Sequence, residues 1–142
     1  MNIQRIKEMF EQNQFTCILS NGDTTYTSTL TGISPMVEFL SQGIHLEGYF
    51  AADKIVGKAA ALLFALAGVH GVYAPVMSKD AVDIFSRFSI QYEYDELTNM
   101  IINRAGDGPC PMEQTVAQIE DPNEAFEAIK QTLKRLRSEK KQ

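Results

Sequence analysis

Apolar residues recur along the chain at helical or strand spacing, and Gly, Pro and Ser mark the boundaries between segments. Residues 3–12 place Ile3, Ile6 and Phe10 on one face of an amphipathic helix. Residues 15–20 and 24–30 are short β-type runs. The turn-forming residues Asn-Gly-Asp lie between them, so the two runs predict a β-hairpin.

The rest of the chain alternates between strand and helix patterns. In chain order the predicted elements are a helix opening at Ser34-Pro35 and ending at Gly43, a strand at 44–50, a helix at 54–67, a strand at 71–77, a helix at 78–88, a strand at 89–94, a helical turn at 97–102, and helices at 111–119 and 122–140. A hairpin followed by alternating strands and helices predicts one domain, 1–142, with a mixed sheet covered on both faces. The predicted fold class is therefore α/β, a three-layer α/β/α sandwich.

The segment 54–67 is the most apolar predicted helix. Asp53 is of a residue type that caps helices, and Gly68 is of a type that ends them. Because residues 59–67 are apolar on every side, we expect this helix to lie in the interior against the sheet.

Charge and composition exclude several classes of protein. The formal net charge is −5, from 13 basic and 18 acidic residues, which argues against a broad nucleic-acid or anionic-membrane surface. The longest apolar run, 59–69, is only about half of a bilayer span. The N-terminal residues lack the continuous apolar core of a signal peptide. With only 2 cysteines, we expect a reduced, cytoplasmic protein without a disulfide framework.

Lys58 is the first candidate for a functional residue. Three alanines follow it, so its ammonium must either extend to solvent or meet a carboxylate or an anionic ligand. Lys54 lies four residues earlier and would share its helix face. Gly57 would allow close approach of a ligand or another backbone. A structural salt bridge of Lys58 is an equally good interpretation, and the pattern is not that of a P-loop.

Cys110 is the second candidate. Pro111 suits the first helical position and Glu113 the third, which places Cys110 at the helix cap. Cysteine is a poor capping residue, whereas a helix N-terminus favours the thiolate, so we expect a nucleophile or a redox-active thiol. Glu113 would either repel that thiolate or accept its proton. The alternative is a small buried residue in a Gly/Pro loop.

The remaining polar residues give weaker signals. His45 and His70 are the only histidines, and they form neither a Ser-His-Asp pattern nor a metal cluster with the cysteines. We therefore predict no metal site. Asn103 and Arg104 precede the glycine-rich loop and could contact an anion, although a surface arginine is equally plausible.

The order of elements resembles the cytidine deaminase-like fold. The segment 15–30 is similar to the opening hairpin of that fold, and the strand at 44–50 leads into the helix that would carry the first zinc ligand. More closely, the motif Asp-Lys-x-x-Gly-Lys-Ala-Ala-Ala at 53–61 and the motif Cys-Pro-Met-Glu at 110–113 resemble an uncharacterised bacterial and archaeal family of that fold. The resemblance implies a nucleotide-like pocket, although a fold does not fix a function.

The chain departs from the deaminases at the metal ligands. A zinc deaminase requires His or Cys, with Glu two residues later, on the first motif helix and Pro-Cys-x-x-Cys on the second. Here the first position reads Val-Gly-Lys-Ala at 56–59, and the segment 75–79 has no cysteine. We therefore expect no zinc, and the resemblance would place the positive charge of Lys58 where the metal lies.

Two hypotheses follow for function. In the first, the chain is a small-molecule binding protein or enzyme in which Lys58 holds an anionic group and Cys110 acts as a nucleophile or redox thiol. Asp53, Lys54, Gly57, Asn103 and Arg104 would complete the site. In the second, it is a catalytically silent module of the same fold whose apolar helices pair chains into a homo-oligomer, and Lys58 only neutralises Glu113 or Asp53.

Overall fold

The fold is described from a computed structural model of the chain, which describes residues 1–103, 105–106 and 108–140. The elements observed in these residues are, in chain order, α1 (Ile3–Glu11), β1 (Cys17–Ser20), β2 (Thr25–Ser28), α2 (Ser34–Ser41), β3 (Phe50–Asp53), β4 (Ile55–Val56), α3 (Lys58–Ala67), β5 (Gly71–Ser78), α4 (Lys79–Arg87), β6 (Gln91–Thr98), α5 (Pro111–Val116) and α6 (Pro122–Lys140). None of the helices in this part of the chain is long and apolar enough to cross a bilayer.

The strands form a six-stranded mixed sheet. β1 is antiparallel to both β2 and β3, which confirms the predicted hairpin. β3, β4 and β6 all run parallel to β5. Because β6 pairs with the same β5 residues as β3 and β4, it must occupy the opposite edge of β5. The sheet order is therefore β2-β1-β3/β4-β5-β6.

Helices flank the sheet on both faces, as the sequence predicts. The helix α1 buries Ile6 and Phe10 in a smaller core with Phe50 and Tyr73. The larger core, on the other face, takes side chains from α2, α3, α4, α5 and α6. At its centre lies α3, whose residues 59–64 are all buried. The interior position of this helix is confirmed, and Gly68 ends it in the left-handed conformation that favours glycine.

The boundaries around α3 differ from the prediction. The predicted strand 44–50 is wrong, because pairing with β1 and β5 begins only at Phe50, and the pairing with β1 continues through Asp53. Asp53 is therefore a strand residue and not a helix cap. The helix begins at Lys58 with Gly57 as its cap, so Lys54 is not helical and does not share a face with Lys58. Burial between two strands overrides the weak strand propensity of Ala51 and Ala52.

Two further predictions are corrected near the end of the sheet. The predicted helical turn at 97–102 is wrong, because β6 continues to Thr98 and Ile102 forms an antiparallel bridge with Pro109. The predicted helix 111–119 is shorter than expected and ends at Val116. The described residues between β6 and α5 thus include a short antiparallel pairing, in which the Cys110 amide also donates to the Ile101 carbonyl over 2.9 Å.

Candidate functional site

A carboxylate from α5 occupies the N-terminus of α3. The two oxygens of Glu113 accept hydrogen bonds from the backbone amides of Lys58, at 2.7 Å, and Ala59, at 2.8 Å. The free amides at the start of a helix attract negative charge, so a carboxylate stabilises this end. The Lys58 ammonium adds a contact to the Ala117 carbonyl, just after α5, at 3.3 Å. We call these contacts from α3 to Glu113 and Ala117 the α5 clamp.

Gly57 makes room for the clamp. It is buried, and a Cβ at this position would lie 2.6 Å from Cδ of Glu113 and 2.7 Å from Cγ1 of Ile101. Its backbone is extended, with φ −103° and ψ −168°, a conformation open to any residue. Space for Glu113, and not backbone freedom, therefore requires glycine here. The sequence prediction was close approach of a ligand or another backbone at Gly57, whereas the groups that approach it are the side chains of Glu113 and Ile101.

Burial sets the electrostatics of Glu113. Removal from water raises the pKa of its carboxyl group, and the amides of Ala59 and Lys58 oppose that effect by binding the ionised form. Asp80 raises this pKa further, whereas the ammonium of Lys58 lowers it. Each carboxylate oxygen accepts one amide hydrogen bond from α3, and this is the role that the structure gives to Glu113.

The Lys58 side chain is held by carboxylate and carbonyl oxygens of the chain itself. Its ammonium lies 3.1 Å from the carboxylate of Glu120, and its side chain is only 12% exposed. Arg87 contacts the same carboxylate at 3.5 Å and the Glu120 carbonyl at 3.1 Å. The hydrogen bond from Lys58 lowers the pKa of Glu120. Lys58 thus meets a negative counterpart, but one that lies after α5 and that no sequence signal had marked.

Cys110 caps α5 and lines a cleft. Its side chain makes no capping hydrogen bond and is partly buried against the larger core. The cleft has a volume of about 730 Å³ and lies between the segment 31–34, the loop before α5 and the C-terminal half of α6. Its walls are largely apolar, formed by Ile33, Ile102, Cys110, Met112, Leu133 and Leu136. Arg137 and Glu139 bring charge to the rim, and nothing in the sequence pattern indicated that α6 would contribute.

The other predicted site residues are dispersed. Asn103 lines the cleft, and its side-chain oxygen accepts a hydrogen bond from the Gly106 amide at 2.9 Å, which shapes the loop. Lys54 is exposed and borders a second depression, on the α1 face, with Tyr73 and Asp95. Arg104 lies outside the described residues. The structure therefore brings Cys110 and Asn103 to one cleft, Gly57 and Lys58 to the clamp, and leaves Lys54 apart.

Asp53 lies in a buried pair with Cys17. The two residues are register partners in β1 and β3, Asp53 is 6% exposed and Cys17 is fully buried. The Asp53 carboxylate accepts a hydrogen bond from the Lys54 amide at 2.8 Å, which favours its ionised form. Burial outweighs this hydrogen bond and raises the pKa of Asp53 to about 8. Burial, with Asp53 adding to it, also raises the pKa of the Cys17 thiol well above its usual value. Cys17 is thus an inert core thiol at neutral pH.

The residues at the α3 N-terminus do not fit a zinc site. A deaminase-type metal needs thiolate or imidazole ligands there, whereas the described chain places the ammonium of Lys58 and the clamped carboxylate of Glu113 at that point. Among the residues that the structure describes, no group of three or more His, Cys, Asp or Glu side chains is placed to hold a metal ion.

Comparison with known proteins identifies the family. No curated protein matches the chain. The sequence profile described as TM1506, domain of unknown function (DUF1893), matches residues 5–133. The chain is also similar to a crystal structure of a DUF1893 family protein, TM1506 from Thermotoga maritima, with a TM-score of 0.81 and 28% identity over 89% of this chain and 86% of that one. The chain therefore belongs to the DUF1893 family.

Proposed function

We propose that this chain is a small-molecule binding module whose site is the cleft beside Cys110. The observation that carries the proposal is the cleft itself. Its volume of about 730 Å³ lies within the range of roughly 300–1,000 Å³ that is usual for ligand pockets. Its walls combine apolar side chains with a few polar groups at the rim, and this combination is typical of sites that hold an apolar body and orient one polar group.

The ligand class follows from the rim of the cleft. Among the described residues that line the cleft, Arg137 is the cation, and the nearby Glu139 is paired with Arg135. A guanidinium pairs well with a carboxylate, phosphate or sulfonate. We infer a ligand with an apolar body and one anionic group. Capture of an anion by Lys58, which does not line the cleft, is a separate form of the proposal. It requires Glu120, whose side chain is 61% exposed, to move away from the ammonium first.

Cys110 gives the cleft a reactive group. Its thiol belongs to the cleft wall, so a bound ligand would lie against it, which supports the hypothesis of a nucleophile or redox thiol. Glu113 then acts through position, because it holds α5 against α3 and so fixes the wall that carries Cys110.

A cytidine deaminase-like ancestry is also part of the proposal. The hairpin followed by parallel strands with intervening helices supports it. In this interpretation the α5 clamp replaces the metal of a zinc deaminase, and no metal-activated water takes part.

A catalytically silent module is the second candidate. The observation in its favour is that the chain satisfies Lys58 and Glu113 internally, as a structural salt bridge and a helix cap would. In that case the cleft would be only an irregularity of the surface between α6 and the loop before α5.

The experiment uses anilinonaphthalene sulfonate, a dye with an apolar body and one anionic group. Wild type should bind it saturably. Ile102→Glu adds a negative charge, which repels the sulfonate of the dye, to the cleft wall at a residue that is 56% exposed, and it should weaken binding about tenfold. Arg137→Gln removes the cation that pairs with the sulfonate and should have an effect of the same size. Ile55→Glu is the matched control, since Ile55 is 53% exposed and lies outside the cleft.

Each outcome has a defined meaning. Equal affinity of wild type, Ile102→Glu and Arg137→Gln would reject the cleft as the site. A tenfold loss in Lys58→Met, with Ile102→Glu unchanged, would move the anion site to the α3 N-terminus. Absence of saturable dye binding, with no bound molecule in a native mass spectrum of the freshly purified protein, would favour the silent module.

A further inference from the structure

The strand β6 forms one edge of the sheet. Among the residues that the structure describes, only β5 pairs with it, from Gln91 to Thr98 except at Asp95. Most of its side chains are exposed, and it contains no proline, glycine or lysine. A long, regular edge of this kind offers unpaired backbone groups to another strand, and proteins usually interrupt such edges.

Aromatic rings line one face of this edge. Tyr92 and Tyr94 lie with ring centroids 6.5 Å apart and ring planes within 4° of parallel. Tyr92 also stacks on Phe85 of α4, at 6.3 Å. Phe85 packs against one side of the stack, and the other side faces solvent, since Tyr92 is 40% exposed and Tyr94 is 37% exposed. Such a surface can cover the side chains of an added strand.

The edge is acidic. Glu93 and Asp95 share the single ammonium of Lys7, at 3.1 and 3.7 Å. Glu96 makes no ion pair with any described side chain. The strand therefore keeps an excess of negative charge after its internal pairing.

This charge disfavours a second copy of the chain as the occupant. Two β6 strands related by a two-fold axis overlap most fully in the registers centred on Tyr94 and on Asp95. The first register places Glu93 opposite Asp95, and the second places Asp95 opposite itself. Like charges directly opposite one another destabilise a strand pair, whereas opposite charges stabilise it.

We propose that the outer edge of β6 binds an extended, lysine- or arginine-bearing segment of another protein as an additional strand. The backbone of β6 would supply the hydrogen bonds, and the ring stack would cover the apolar side chains of the segment. The free carboxylate of Glu96, on the same face of β6 as the rings, would select a basic residue next to the apolar ones. This surface involves none of the residues that line the cleft, so it is independent of the proposed ligand site.

The test uses two synthetic eight-residue peptides in which every second residue is threonine. The alternate positions, which would meet the face of Tyr92, Tyr94 and Glu96, hold two valines and then two lysines in one peptide, and two valines and then two glutamates in the other. Fluorescence anisotropy of each labelled peptide is measured against the full chain. Saturable binding is expected for the lysine peptide and none for the glutamate peptide. Glu96→Lys should weaken binding of the lysine peptide about fivefold to tenfold. Glu127→Lys in α6 reverses a comparably exposed charge elsewhere and should have no effect.

Backbone hydrogen exchange locates the bound peptide. The lysine peptide should slow exchange of amides within residues 91–98 and leave the loop before α5 unchanged. The proposal is overturned if both peptides bind equally, if neither binds, or if the protected amides lie outside β6. A dimer of the free protein with protected β6 amides, abolished by Glu96→Lys, would also overturn it and assign this edge to a second copy.

Discussion

Replacing Gly57 by alanine isolates the packing that places Glu113 at the start of α3. Alanine can adopt the extended backbone of this position, so any cost must come from the added methyl group. That methyl would lie 2.6 Å from Cδ of Glu113, whereas carbon atoms pack at about 3.5–4.0 Å. The carboxylate must therefore withdraw by about 1 Å.

The size of the effect follows from the two hydrogen bonds. At 2.7 and 2.8 Å they would lengthen beyond the usual limit and be lost. A hydrogen bond to a charged group contributes about 1.5–3 kcal/mol. Alanine also makes the unfolded chain less flexible than glycine does, which raises the free energy of unfolding by about 0.4–1 kcal/mol and offsets part of this loss. Since Ile101 must also move, we expect Gly57→Ala to lower the free energy of unfolding by about 2–6 kcal/mol.

Urea denaturation followed by circular dichroism measures this change. Gly108→Ala is the matched control, because its nearest neighbour would be 3.9 Å from the new Cβ, and it should stay within about 0.5 kcal/mol of wild type. In a Glu113→Ala background the cost of Gly57→Ala should fall by at least about 1 kcal/mol, since the methyl no longer meets a carboxylate. A Gly57→Ala protein as stable as the control, or a cost that Glu113→Ala does not alter, would refute the clamp.

Two further predictions concern the buried pair and the thiols. Burial raises the pKa of Asp53 from 3.8 to about 8, so the folded state keeps this carboxyl protonated at pH values where the unfolded chain has already lost the proton. The contribution of the protonated group to the free energy of unfolding is therefore complete below about pH 4 and is lost as the pH rises towards 8. Between pH 5 and 8 wild type should lose about 4 kcal/mol relative to Asp53→Asn in urea titrations, and parallel curves for the two proteins would contradict this. A disulfide thiol probe should label Cys110 and leave the fully buried Cys17 unmodified until urea unfolds the chain. Equal labelling rates in the native protein would show that the loop before α5 does not hold Cys110 differently from the core thiol.

Local patterns in the sequence were sufficient where one element decided the outcome. The apolar run 59–67 predicts a buried helix because no face of it can meet water. The Asn-Gly-Asp turn predicts the β1–β2 hairpin because it fixes the connection between neighbouring strands. Cys110 was placed correctly at a helix cap because proline is favoured at the first position of a helix, and Cys110 immediately precedes Pro111.

Predictions were wrong or incomplete where the position or partner of a residue depends on segments that are distant in the chain. Asp53 has the composition of a helix cap, but pairing of β3 with both β1 and β5 makes it the end of a buried strand. Glu113 binds amides that lie 55 and 54 positions earlier in the chain, and Glu120 binds the ammonium of Lys58. No local spacing records these contacts, because they depend on where α5 returns to the sheet.

The clamp and the cleft are physically connected through α5. A helix N-terminus beside a lysine would attract an anion from solution, but here the chain provides its own carboxylates, Glu113 for the amides and Glu120 for the ammonium. Glu113 holds the first turn of α5, and the Lys58 ammonium holds its C-terminal end through the Ala117 carbonyl. A helix of only 6 residues is too short to be stable without such contacts. Because the cleft wall begins at Cys110 and continues into the first turn of α5, the shape of the cleft depends on the clamp. The charged contacts at the α3 N-terminus therefore influence the shape of the cleft, because they fix the position of α5. A substitution of Glu113 should alter ligand binding although Glu113 does not line the cleft.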